Sequence, residues 1–216
     1  REIVETMGTS GVPITDVLLK GFTPVSNHAN GGFYGARAVG ENFRRLLEMH
    51  PPYVDPHSSL LGGYCANFNS YRKAGWNPDY DYSHLKPEQE KYKLHHGIGG
   101  SQHFCQDLTI GLELGWGGLL RKIRRYRALR GPEHADFYDG LEHCVLGMQA
   151  WMRTNIAEAR RMADAEADPY LRQNLLDMAA MNEYLLTEPP RTLREACQWI
   201  CWYDMAARMF NGSGSL

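Results

Sequence analysis

The residues best suited to chemistry lie in one stretch rich in glycine and histidine, LHHGIGGSQHF at positions 94–104. Its glycines allow sharp turns and a close approach of the backbone to a ligand. Its histidines can donate or accept hydrogen bonds near neutral pH. The stretch leads directly into a predicted helix, so we expect a loop that could present His103 to a small ligand. A purely structural role for His103 is the alternative that these residues leave open.

The spacing of the candidate ligands disfavours other kinds of site. Cys197 and Cys201 lie four residues apart on one predicted helix and could share a metal ion, but buried thiols usually pack as small hydrophobic groups. Glu142 and His143 are adjacent, whereas a di-iron helical bundle needs Glu-x-x-His. The glycine run 97–100 lacks the Lys-Ser/Thr ending of a phosphate loop. We therefore predict no metal site and no nucleotide site in this chain.

The overall charge argues against nucleic acid or a membrane as a partner. The 216 residues include 23 Lys and Arg and 25 Asp and Glu, a net charge of -2. This balance creates no field that would attract a polyanion. The basic cluster 121–127 is the exception, and we interpret it as a solvated helix end. No apolar run reaches the roughly 18 residues of a membrane span.

The cysteines indicate the compartment. There are 5, scattered along a chain that is large enough to fold without disulfide bonds. Such a pattern is typical of a reducing environment, so we expect a cytoplasmic protein.

Apolar residues recur at helical spacing in five segments. The first, 36–50, ends at a Pro-Pro stop, and the next three are 106–130, 136–167 and 169–184. Short connections join these three, so we expect them to be antiparallel neighbours. The last segment begins after a capping box of Thr192 and Glu195. The apolar stripe predicted for it consists of Leu193, Ala196, Cys197, Ile200, Cys201 and Asp204 or Met205, with Arg208 at its polar end.

Two parts of the chain differ in regularity. Residues 1–105 are expected to form a long irregular arm with one helix, and residues 106–216 an antiparallel helical shell. The stretch 51–100 is rich in aromatic residues and interrupted by glycine and proline. Its order must therefore come from burial of aromatic side chains and not from regular backbone. Together the two parts predict a mainly α fold within one domain.

The order of several short phrases resembles that of glycyl radical enzymes, the group of pyruvate formate-lyase and glycerol dehydratase. The phrases that carry the resemblance are ARA at 36–38, LEMHP at 47–51, LLGG at 60–63, GSQH at 100–103, GLELGWGGL at 111–119, FYDGL at 137–141, DP at 168–169, PRTLREACQ at 190–198 and NG at 211–212. Their order and spacing match the N-terminal part of the family's large domain.

The resemblance implies a ten-stranded α/β barrel surrounded by helices, with this chain supplying outer helices and one wall of the substrate cavity. It implies a parent enzyme that breaks a C–C, C–O, C–N or C–S bond of a small organic substrate by radical chemistry, as a lyase or dehydratase, or a formate acyltransferase. The family's radical phrase, Arg-Val-x-Gly-Tyr, and its thiyl phrase, Gly-Cys-x-Glu, do not occur in the sequence. We therefore expect no catalytic residue and no bound cofactor in this segment.

The resemblance also suggests two substrate-binding residues, His103 and Ser213. In diol dehydratases of the family, these phrases hydrogen-bond the substrate's hydroxyl groups. The dehydratase phrase Asn-Gly-His-Ser is replaced here by NGSG at 211–214. The missing histidine argues against glycerol or propanediol as the substrate, and the small residues predict a cavity wall with room for a bulkier group. Family membership further implies an anaerobic homodimer whose glycyl radical is installed by a separate activating enzyme, which uses an iron–sulfur cluster and S-adenosylmethionine.

The alternative is a noncatalytic helical module, such as a scaffold or binding domain whose aromatic arm docks a partner. Composition does not separate the two hypotheses. Because the sequence starts at Arg1 without a methionine and ends at Leu216 within a family phrase, we expect a segment of a longer protein.

Overall fold

The computed structural model describes residues 21–63, 66, 68–71, 78–93 and 106–211. Within these ranges the chain is helical and contains no β-strand, which confirms the mainly α prediction. The α-helices are α1 (Ala36–Met49), α2 (Lys86–Tyr92), α3 (Thr109–Leu129), α4 (Ala135–Ala165), α5 (Pro169–Leu185) and α6 (Leu193–Asn211). Short 3₁₀ turns occur at Phe68–Tyr71, Ser83–Leu85 and Pro132–His134. In the described part of the chain, no helix is both long and apolar enough to cross a membrane.

The starts of α5 and α6 follow from local sequence. Asp168 accepts hydrogen bonds from the backbone N–H groups of Tyr170 and Leu171 at 2.8 and 3.3 Å, and proline occupies the first turn of α5. At α6 the Thr192 hydroxyl accepts from the Glu195 N–H at 3.2 Å, while the Glu195 carboxylate accepts from the Thr192 N–H at 3.2 Å. The predicted capping box is therefore confirmed.

Helix α2 lies in a stretch for which the sequence predicts no regular structure, so residues 1–105 hold a second helix beyond the one expected. Pro87 and Glu88 favour its first turn, and Lys93 ends it in a left-handed conformation with φ 52°. With only 7 residues, this helix is too short for an apolar period to be visible in the sequence.

Helix α4 forms the centre of the fold and packs against α1, α3 and α5. Its tightest contact is with α1, where Gly40 and Gly140 face one another. A Cβ atom at Gly40 would lie 2.3 Å from the carbonyl oxygen of Gly140, and one at Gly140 would lie 2.3 Å from that of Ala36. The two backbones can approach this closely only because both residues lack a side chain.

Side-chain amides of the helices hold the irregular segments 21–35 and 50–63. Gln198 accepts a hydrogen bond from the Leu61 N–H at 2.7 Å and donates one to its carbonyl oxygen at 3.0 Å. Asn42 forms the same pair with Val25, at 2.7 and 2.9 Å. Residues 53–58 are bound in similar fashion by Asn155 and Asn174. These amides satisfy backbone groups that a strand partner would otherwise satisfy.

The apolar stripe predicted for α6 is only partly correct: Met205 is buried, and Ile200 and Cys201 are half-buried against the core. The face that the fold buries consists of Glu195, Gln198, Trp199, Trp202, Met205 and Met209. Leu193 is 81% exposed, and Cys197 is exposed as well. The two tryptophans remove far more area from water than the smaller residues of the predicted stripe, so they set the rotation of the helix.

A similar difference occurs at the start of α4, whose predicted core face includes Phe137 and Leu141. In the structure these side chains are 54% and 37% exposed. The buried apolar side chains of α4 begin beyond them, with Val145, Met148, Trp151 and Met152.

We expect the stability of the fold to depend on pH through His50. This side chain is buried, with Nδ1 2.8 Å from the Pro51 carbonyl oxygen and Nε2 accepting the Ala66 N–H at 3.1 Å. Burial lowers the pKa of His50 from 6.5 to about 4. The unfolded chain therefore binds a proton between these values that the folded chain does not, and stability falls as the pH falls.

The expected loss is about 2 kcal/mol in the free energy of unfolding between pH 7 and pH 5. Urea denaturation of the wild type and of His50→Gln at both pH values measures it. The variant should lose less stability between the two pH values, and an equal loss in both proteins would refute the assignment to His50.

Candidate functional site

The two residues predicted to bind substrate, His103 and Ser213, lie outside the described residues, as does the whole stretch 94–104. Residues close to them in sequence are described on either side. Gln106 follows His103 by three positions, and Phe210 precedes Ser213 by three. Gln106 and Phe210 line one and the same pocket, so described residues that flank the two predicted phrases meet in one region.

This pocket, called here the aromatic pocket, has a volume of about 260 Å³. Helices α1, α3, α4 and α6 each contribute to it, together with Gln106 from the segment before α3. Its lining residues are Phe43, Gln106, Trp116, Cys144, Val145, Met148, Tyr203, Ala206, Ala207 and Phe210.

A kink in α3 places Trp116 in the aromatic pocket. Gly115 has φ 61° and ψ 178°, a combination that is open to glycine alone. A Cβ atom at Gly115 would lie 2.6 Å from the carbonyl carbon of Glu188, so the connection between α5 and α6 presses against the kink. The helix then resumes with Trp116, whose side chain is buried.

Stacked rings continue from Trp116 across the pocket wall. Trp116 stacks on Trp199 with ring centroids 5.1 Å apart, and Trp199 stacks on Tyr203 at 5.5 Å. A Cβ atom at Gly111 would lie 1.9 Å from the Trp199 ring, so this glycine makes the room for the stack. Rigid, well-packed rings of this kind give a wall with a fixed shape.

None of the described residues that line the aromatic pocket carries a charged side chain. Burial raises the pKa of the Cys144 thiol to about 11. Burial and the neighbouring carboxylate of Asp204 raise the pKa of the Tyr203 hydroxyl. The thiol and the phenol therefore both stay protonated and neutral at pH 7.

A second, polar groove of about 480 Å³ lies between α1, α3 and α4. Arg124 binds Glu142 at 2.7 Å, and Arg127 binds Asp139. These arginines belong to the basic cluster 121–127, which is exposed as predicted and additionally ties α3 to α4. Because each of the two guanidinium groups already has a carboxylate partner, the groove does not present free positive charge to an anion.

The sequence does not identify most of the aromatic pocket. Phe43, Cys144 and Tyr203 come from three different helices, and no local spacing links them. The one local signal is the run GWGG at 115–118, since glycines on both sides of a tryptophan indicate close packing around it. Among the described residues, no group of three His, Cys, Asp or Glu side chains could hold a metal ion.

A family model described as pyruvate formate lyase-like matches residues 93–215. No curated protein sequence matches the chain. The fold is similar to that of a solved structure on 1,2-propanediol dehydration in Roseburia inulinivorans, with a TM-score of 0.65 and 15% identity over 84% of this chain and 30% of that one.

Two further solved structures share the fold. The B12-independent glycerol dehydratase from Clostridium butyricum, in its glycerol-bound form, matches with a TM-score of 0.60 and 12% identity over 82% of this chain and 29% of that chain. A glycyl radical enzyme from Archaeoglobus fulgidus matches with a TM-score of 0.62 and 17% identity over 82% and 30%, respectively. The present chain thus spans about 30% of the length of the structures it matches.

Proposed function

The chain belongs to the pyruvate formate lyase-like family of glycyl radical enzymes, and we propose that it forms one wall of the substrate cavity of such an enzyme. The parent enzyme is a lyase or dehydratase that breaks a C–C, C–O, C–N or C–S bond of a small organic substrate. The observation that carries the proposal is the shared pocket of Gln106 and Phe210. The family assignment favours this function over a noncatalytic helical module.

Chain length supports a substrate-binding role for His103 and Ser213. Each lies three residues from a residue that lines the aromatic pocket. Because an extended chain spans at most about 3.6 Å per residue, a separation of three residues is short enough for either side chain to reach the pocket. His103 would donate a hydrogen bond to a substrate oxygen or accept one from a hydroxyl group, and Ser213 would do the same with its own hydroxyl.

The remaining parts of the proposal concern the whole enzyme. A glycyl radical, installed by an activating enzyme that uses an iron–sulfur cluster and S-adenosylmethionine, supplies the hydrogen-abstracting chemistry. The residues of this chain bind and orient the substrate and keep water out. The ten-stranded barrel, the homodimer and the anaerobic cytoplasm belong to the same proposal.

Exposed apolar side chains support packing against further protein. Tyr170 is 85% exposed, and Leu193 and Phe137 are also largely exposed. Apolar residues that are exposed on several helices offer contact area to a barrel or to a second subunit.

The kinetics of a His103→Ala variant of the complete, activated enzyme test this proposal. We expect kcat/KM to fall about 10- to 100-fold, because the substrate loses a hydrogen bond in a site built to provide it. His95→Ala, in the same glycine-rich stretch, is the matched control and should stay near wild type. The glycyl radical content, measured by electron paramagnetic resonance, should be equal in all three proteins. Equal kcat/KM values for the two variants would contradict the assignment of His103.

A further inference from the structure

The aromatic pocket is lined by four rings from three different helices: Phe43, Trp116, Tyr203 and Phe210. Two small residues, Ala206 and Ala207, line it from α6 and leave the space between the rings open. Rings offer large, rigid contact surfaces that favour a flat or globular apolar ligand.

The lining offers few hydrogen bonds. Among the described lining residues, the side-chain polar groups are the Gln106 amide, the Tyr203 hydroxyl, the Cys144 thiol and the Trp116 indole N–H, which has no hydrogen-bond partner. A polyol that entered this space would lose hydrogen bonds to water at several hydroxyl groups and regain few of them. A charged group would find no partner of opposite sign among these residues. The pocket is therefore suited to an uncharged apolar group.

The volume of the aromatic pocket suits a ring. An empty apolar cavity of about 150 Å³ is large enough to bind benzene. The aromatic pocket measures about 260 Å³, which leaves room for a ring with one or two substituents. A three-carbon polyol would fill only part of it.

We propose that the aromatic pocket binds an uncharged, ring-sized apolar group of the substrate, so that the parent enzyme acts on an aromatic or alicyclic compound. This inference rests on the proposed function, because it makes the pocket part of the substrate cavity. The polar, reacting end of the substrate would point towards Gln106.

Nuclear magnetic resonance on the 216-residue chain tests the pocket directly. With methionine methyl groups labelled with ¹³C, toluene and glycerol are added in separate titrations. Met148 lines the pocket, whereas Met178 is buried on α5 away from it. Toluene should shift the Met148 signal in a saturable manner and leave Met178 unchanged, and glycerol should move neither. A Met148 signal that ignores toluene, or responds equally to glycerol, would overturn the proposal.

Variants on α6 provide the control. Ala206→Phe fills the pocket and should weaken toluene binding at least about tenfold, since ring and side chain compete for one volume. Ala196→Phe adds the same group at a partly buried position of α6 that does not line the pocket, and should bind like the wild type. If both variants weaken toluene binding equally, toluene does not bind in the aromatic pocket.

The two proposals can fail separately. If toluene does not bind while His103→Ala still lowers kcat/KM, the proposed substrate class is wrong, but the proposal that the chain forms one wall of the substrate cavity is retained. If toluene binds at Met148 while His103→Ala leaves kcat/KM unchanged, the pocket is an apolar ligand site and the proposed function is wrong.

Discussion

Replacing Gly140 with valine is expected to lower the free energy of unfolding by at least about 3 kcal/mol, because overpacking a contact between two backbones cannot be relieved by a rotamer change. Already the first added carbon would lie 2.3 Å from the Ala36 carbonyl oxygen. Helices α1 and α4 would have to separate, which would disturb the largest packed surface of the fold. Urea denaturation followed by circular dichroism measures the change.

The matched control is Ala157→Val, a change to the same residue at an exposed position of α4. Its effect should stay within about 1 kcal/mol, because only helix propensity changes there. The sign of the stability change at Gly140 is informative, because helix propensity alone favours valine over glycine and would make the variant more stable. A stability of Gly140→Val equal to that of the wild type would show that the two helices do not cross at these glycines.

Replacing Gln198 with leucine is expected to cost about 3–5 kcal/mol, because several buried polar groups lose their partner at once. Gln198 is fully buried and binds both backbone groups of Leu61. Its side-chain oxygen also accepts a hydrogen bond from Asn182 at 3.2 Å, and Asn182 in turn accepts from the Trp202 indole at 2.7 Å. The substitution leaves the Leu61 N–H and carbonyl without partners in an apolar environment.

Gln173→Leu on α5 serves as the control, because its amide binds Asp177 on the exposed surface. This substitution should change the free energy of unfolding by no more than about 0.5 kcal/mol. Hydrogen exchange of the Leu61 amide adds a local measurement, which should speed up in Gln198→Leu and not in Gln173→Leu. If Gln198→Leu lowers the free energy of unfolding by less than about 1 kcal/mol, the Gln198 side-chain amide does not hold segment 50–63 in place.

The helices could be predicted from the sequence because their signals are local. The apolar period and the Pro-Pro, Gly-Pro and Asp-Pro breaks place α1, α4 and α5 within two residues of their bounds in the structure. The capping box fixes the start of α6 in the same way. The kink at Gly115 depends on contact with Glu188, far along the chain, and so could not be predicted.

The rotation of helices was predicted less well than their bounds. On α6 the spacing of small apolar residues gave a plausible stripe, yet Trp199, Trp202 and the polar Gln198 form the buried face. Gln198 is buried because it satisfies Leu61, a residue 137 positions earlier. A buried polar residue of this kind cannot be distinguished from a surface residue until its partner is known.

The predicted site residues stay a prediction, because His103 and Ser213 lie outside the described residues. The glycine- and histidine-rich stretch and the family phrases point to His103 and Ser213, and described residues near both line one pocket. The wall of that pocket was not predicted, since Phe43, Cys144 and Tyr203 come together only through helix packing. Its apolar character therefore became visible in the structure alone.

A crystal structure of the complete enzyme with substrate bound tests the central claim most directly. The claim predicts the substrate in van der Waals contact with Phe43, Trp116 or Phe210, with a polar atom at about 3 Å from the His103 imidazole. Substrate bound in a cavity to which none of these side chains contributes would contradict it.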